Sequence, residues 1–161
     1  MPEFMIDQER LQNQTKLFLR VNYITSVGAI LFGLICLFLL HITEIIPFAL
    51  FAFGVLNLAN LVLFAKHKKI MATYGISSVL ALIASFVVTL YSGGIQSSFI
   101  FMIALVAFGG YATNRKFGVL YLNITFVLIL LVFSQSFTDV KVTKNVVPEA
   151  TAYIFDALSV L

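Results

Sequence analysis

The chain has 161 residues, 61% hydrophobic and 11% charged, with a mean hydropathy of +1.05. A soluble globular domain of this size carries about half apolar and about a quarter charged residues, so that class is excluded; so are disorder and, with one cysteine, a disulfide scaffold. Ten Lys and Arg against seven Asp and Glu leave a net charge of +3, too few charges between long apolar runs to build a face for nucleic acid.

Residues 1–20 form a polar leader. Met1, Pro2, Glu3 and Phe4 precede a second methionine, Met5, and fit a vector-derived addition as well as native sequence. Leu11, Leu17 and Phe18 stand among Arg10, Lys16 and Arg20. That pattern predicts a helix over 7–20 that continues into the first span or lies at the interface. It is no signal peptide, because the apolar run that follows is too long and has no small-residue cleavage site. Five charge-free runs come next, at 21–40, 45–65, 70–91, 95–113 and 117–137. Each is about twenty residues long, enough at about 1.5 Å per residue for a hydrocarbon core of about 30 Å. A sixth apolar stretch begins at Val146. From Pro148 to Leu161 it covers roughly 20 Å as helix, which predicts a sixth span that continues past Leu161. The expected fold is an all-α polytopic membrane bundle over 21–161, with five complete spans and a partial sixth.

The charges orient it. Arg10, Lys16, Arg20, Lys66, Lys68, Lys69, Arg115 and Lys116 fall on one side, and Lys141 and Lys144 on the other. The positive-inside rule places the first set, and with six spans both termini, in the cytoplasm.

Catalytic chemistry is absent from the pattern. There is no phosphate-binding glycine loop, no HExxH, no CxxC and no nucleophile elbow. His41 and His67 fall on opposite faces, and His41 with Glu44 supplies too few ligands for a cation, so no metal and no cofactor is expected. The expectation is that this chain is not itself an enzyme. Lys66, His67, Lys68 and Lys69 suit anionic lipid headgroups as well as topological anchoring, and Cys36 suits packing.

Polar residues inside the spans say more. Asn57 and Asn60 share a face of the second helix and need partners in hydrocarbon. Ser77, Ser78, Ser85 and Thr89 in the third helix, and Asn123 and Thr125 in the fifth, can supply them. Gly109 and Gly110 allow close approach or a bend. Asp156 is the one acid placed inside an expected span, and intramembrane carboxylates are costly. Asn57, Asn60, Ser85, Asn123 and Asp156 are therefore the candidate ligand-binding residues, with structural glue as the alternative. Spans one to five hold no Asp, Glu, Lys or Arg, which disfavours ion-coupled transport.

The segment from Tyr91 to Phe99 runs Tyr-Ser-Gly-Gly-Ile-Gln-Ser-Ser-Phe. Gly93 and Gly94 permit a tight reversal, and Ser97 or Ser98 can cap the returning helix. This turn resembles the Ser/Thr-Gly-Gly-hydrophobic-x-Ser-Pro-Phe turn of the six-helix membrane input modules of bacterial sensor histidine kinases; Ser98 stands where that pattern has proline. The basic Asn114-Arg115-Lys116 turn and the six-span layout are also similar. The resemblance implies a sensory and dimerisation module in the inner membrane. Its expected partners are membrane lipids, a second copy of the chain and a cytoplasmic effector domain beyond Leu161, with no nucleic acid. Related anchors on adenylyl and diguanylate cyclases, and a small transporter or channel subunit, are the competing expectations.

Overall fold

A computed structural model describes the backbone of residues 2–113, 115–134 and 145–159, with side chains described at 12–106, 118–134 and 145–159. Its elements are α1 (Pro2–Phe38), α2 (Ile45–His67), α3 (Ile70–Tyr91), a 3-10 turn (Gly94–Gln96), α4 (Ile100–Thr113), α5 (Arg115–Ser134) and α6 (Glu149–Ser159). Among the described residues there is no strand, only an isolated antiparallel bridge between Ser92 and Asn145.

The leader and the first apolar run form one helix, because no Pro follows Pro2 and no Gly falls at their junction, Gly28 and Gly33 lying further along. α1 ends where the chain turns back at His41 in the left-handed region (φ 53), with the Ile42 N–H bonded to the Cys36 carbonyl at 2.9 Å. Pro47 sits in the first turn of α2, where its missing N–H has no intrahelical partner to lose. α2 ends at Lys68, also left-handed (φ 53), whose N–H closes on the Phe64 carbonyl at 2.8 Å.

Three helical stretches are long and apolar enough to cross a membrane: 12–38, 45–67 and 70–91. Large apolar side chains lie exposed along them, Ile24, Val62 and Ile83 among others. Helices apolar all round expose such residues to lipid. The chain is thus an all-helical protein compatible with a membrane bundle. The fourth run is shorter than expected, 14 residues from Ile100 instead of a start at 95. The residues from Gly93 to Phe99 are spent on the turn, which leaves α4 about 21 Å long. The apolar part of α5 covers Gly118–Ser134 among the described residues. Lys141, Lys144 and Asn114, and the side chains around Gly109, Gly110, Arg115 and Lys116, lie outside the described residues.

The first five helices pack chiefly on their neighbours in sequence, α1 with α2 and α4 with α5 most extensively. α1 and α2 approach closely at two glycines. A Cβ on Gly33 would meet the Phe51 ring at 3.0 Å; one on Gly54 would meet Ile30 Cγ1 at 2.5 Å and the Ser26 carbonyl oxygen at 2.8 Å. Two apolar clusters follow. One, at the His41 and Gly93 end, joins Cys36, Leu40, Ile42, Ile46, Val88, Phe99 and Phe155. The other gathers Tyr74, Leu82, Ile103 and Tyr121, with Phe18 against them.

Candidate functional site

Three helices each present two polar residues on one face: Asn22 and Ser26 on α1, Asn57 and Asn60 on α2, Thr73 and Ser77 on α3. Spacings of three or four align each pair. Ser26, Asn57 and Thr73 are fully buried, and Asn60 and Ser77 nearly so. The faces meet in one network. Asn60 Nδ2 donates to the Thr73 carbonyl at 2.8 Å and to Ser77 Oγ at 3.0 Å. Ser77 Oγ donates to Asn57 Oδ1 at 2.5 Å. Asn57 Nδ2 donates to Ser26 Oγ at 2.8 Å and to Asn22 Oδ1 at 3.2 Å. Ser26 Oγ donates to the Asn22 carbonyl at 2.6 Å, and Asn22 Nδ2 to the Phe18 carbonyl at 3.0 Å.

The bonds fix one another's sense. Backbone carbonyls can only accept, so Ser26, Asn22 and Asn60 must turn their donors toward them. Asn57 and Ser77 then have one orientation left. The close approach at Gly54, one turn from Asn57, brings the Ser26 turn within reach. All six side chains are neutral, and the network has no acid, base or nucleophile. It can hold three helices in register, and it can recognise a neutral polar group.

A second polar group lies at the turn after α3. Gly93 (φ 112) and Gly94 (φ 66) make the reversal in a region that favours glycine. Ser92 Oγ donates to the Val88 carbonyl at 2.6 Å, so the Ser92–Ser97 hydroxyl contact at 2.5 Å has Ser97 as donor. Ser97 Oγ accepts the Phe99 N–H at 3.2 Å and so caps the entry to α4. α6 docks here. The Val146 N–H bonds to the Tyr91 carbonyl at 2.9 Å, and Ser98 Oγ donates to Asp156 Oδ1 at 3.0 Å. Phe155, 1% exposed, sits with its ring centroid 5.6 Å from both Phe32 and Phe99, whose rings stack on each other at 5.9 Å.

The five candidate ligand-binding residues do not converge. Asn57 and Asn60 share the network with Ser77. Ser85 lies two turns further along α3 and engages through its carbonyl, which accepts the Thr89 hydroxyl at 2.7 Å. Asn123 is exposed and donates to the Val119 carbonyl of its own helix at 2.8 Å. Asp156 is exposed on α6 at the opposite polar group. Sequence reasoning missed Asn22, Ser26 and Thr73. The first two carried a usable signal, an i, i+4 polar pair at the start of a charge-free run. It missed as well the Phe32–Phe99–Phe155 stack, for which the pattern holds no cue.

No protein-family model, characterised protein or solved structure matches the chain.

Proposed function

We propose that this chain is the membrane sensory and dimerisation module of a bacterial signalling receptor, of the kind that feeds a histidine kinase. In this reading it spans the inner membrane six times, both termini face the cytoplasm, and α6 relays to a cytoplasmic effector. The chain itself performs no catalysis. The observation that supports the reading is the docking of α6 on the α3–α4 turn, by the Val146–Tyr91 and Ser98–Asp156 bonds and the Phe155 stack. A shift of that turn reaches α6 directly. The aromatic contacts contribute about 0.5–1.5 kcal/mol each, an energy that a ligand with modest differential affinity can offset.

The test locks the latch. Phe32→Cys with Phe155→Cys, with or without a short bis-maleimide cross-link, is compared in the full-length gene product by autophosphorylation from ATP in membrane vesicles. Different phosphorylation in the two states supports the proposal. Equal phosphorylation, or none in any state, overturns it. Topology is checked separately: Lys68→Cys and Lys144→Cys should label from opposite sides, and labelling from one side refutes six spans. Solute flux through the reconstituted chain would favour a transporter instead.

A further inference from the structure

The buried network is satisfied at every side-chain atom but one. Asn60 Oδ1 is inaccessible and receives no hydrogen bond among the described residues, although Asn60 is only 3% exposed. Turning the amide over does not help. Its Nδ2 faces the Thr73 carbonyl at 2.8 Å, and an oxygen placed there would confront a second acceptor. The unpartnered acceptor is therefore built in. Buried polar atoms find a partner in protein or in bound water almost without exception, because an unmade bond costs more than a made one contributes.

We propose that Asn60 Oδ1 holds a buried water molecule that heads a hydrogen-bond relay across α3, α2 and α1. Every side-chain link from Asn60 onward runs in one sense. Asn60 donates to Ser77, Ser77 to Asn57, Asn57 to Ser26, and Ser26 to the Asn22 carbonyl. A water O–H donated to Asn60 Oδ1 extends that series by one link in the same sense, the arrangement in which successive bonds polarise one another. Thr73, whose carbonyl already contacts Asn60, donates its Oγ1 to the Lys69 carbonyl at 3.1 Å.

The charge balance selects water over a cation. The six network residues carry no carboxylate. The Thr73 carbonyl, Ser77 Oγ and Asn57 Oδ1 each already receive a donor. A hard cation asks for about six oxygens and a compensating charge, and a buried unpaired ion costs far more than a neutral donor. The position is also near the charged end of the two helices. Thr73 stands on the first turn of α3, four residues from exposed Lys69, and Asn60 stands two turns before exposed His67 on α2. The acceptor thus lies about 10 Å from the charged Lys66 to Lys69 turn.

The test is a density map of the full chain in lipid, at a resolution that shows ordered water at the Lys66 to Lys69 turn. The expected result is one compact peak at about 2.7–3.0 Å from Asn60 Oδ1, unchanged when sodium is replaced by N-methylglucamine. A second measurement reads the same site in solution, by water-selective cross-relaxation on chain labelled with 15N-asparagine. Asn57 and Asn60 amides both touch a serine hydroxyl, so any hydroxyl-relayed signal is common to both. A stronger water signal at Asn60 than at Asn57 is expected. No peak, elongated density of a lipid or other ligand, a sodium-dependent peak, or equal signals from the two amides each overturns the proposal.

Discussion

Gly54→Ala isolates the contact on which the α1–α2 pairing depends. The added Cβ would stand 2.5 Å from Ile30 Cγ1 and 2.8 Å from the Ser26 carbonyl oxygen. Ile30 can rotate away, but a backbone carbonyl cannot, so α1 must move. Overpacking of this kind costs about 1–3 kcal/mol. The same displacement pulls Ser26 from Asn57 Nδ2, now at 2.8 Å, a bond of about 0.6 kcal/mol in measured membrane proteins. Alanine returns about 1 kcal/mol of helix propensity, so the net loss is about 0.5–2.5 kcal/mol. Gly28→Ala is the control, because nothing lies within 4 Å of its added Cβ and it keeps only the propensity gain. The two variants should differ by about 1.5–3.5 kcal/mol in unfolding by SDS in mixed micelles, the propensity gain being common to both. A double-mutant cycle sharpens the result: Ser26→Ala should matter in the wild-type background and lose its effect beside Gly54→Ala. If Gly54→Ala is as stable as Gly28→Ala, or if Ser26→Ala costs the same in both backgrounds, close approach does not position the network.

Asn57→Leu removes three side-chain bonds and should cost about 2 kcal/mol at about 0.6 each in the same unfolding assay; wild-type stability would refute the network's structural role. Gly93→Ala meets no atom within 4 Å, so its cost is conformational, about 1–2 kcal/mol for a side chain at positive φ, and Gly93→Val should lower folded yield while Gly75→Ala does not. Phe155→Ala removes two ring contacts of about 0.5–1.5 kcal/mol each, which should speed amide exchange in 149–159 about 10- to 100-fold and leave α3 unchanged. Unchanged exchange there would mean that Phe155 does not anchor α6.

What the sequence showed and what it hid have one physical cause. Long charge-free runs announce helices for lipid, and α1, α2 and α3 lie where those runs fall. The boundary of α4 moved because Ile95 is apolar in a turn, and composition cannot distinguish an apolar turn residue from a helical one. Facing is harder still. In water the polar side of a helix marks the outside; in lipid both sides are apolar, and only polar residues mark the inside. Asn57 and Asn60 followed that rule. Asn123 did not, because it bonds to the carbonyl one turn back and needs no neighbour. Asn22 and Thr73 sit close to Arg20 and Lys69, where a polar residue reads as interfacial, yet Thr73 is fully buried and Asn22 accepts from Asn57.

The two polar groups differ in how many bonds must break together, and that difference assigns them separate roles. Six residues on three helices share the first group, and a broken bond there strands a buried donor or acceptor. Such a group resists partial opening. Asp156 is exposed and Ser98 only half-buried, so parting them strands neither group inside the protein. Phe155 leaves a stack that Phe32 and Phe99 keep between themselves. Undocking α6 therefore breaks few polar bonds but exposes the buried Phe155 ring that packs on Phe32 and Phe99, whereas a change at Asn57 reaches bonds on three helices. In the proposed sensory reading, the contacts of α6 are the ones a stimulus would shift, and the α1–α3 network would be the frame against which that movement is made.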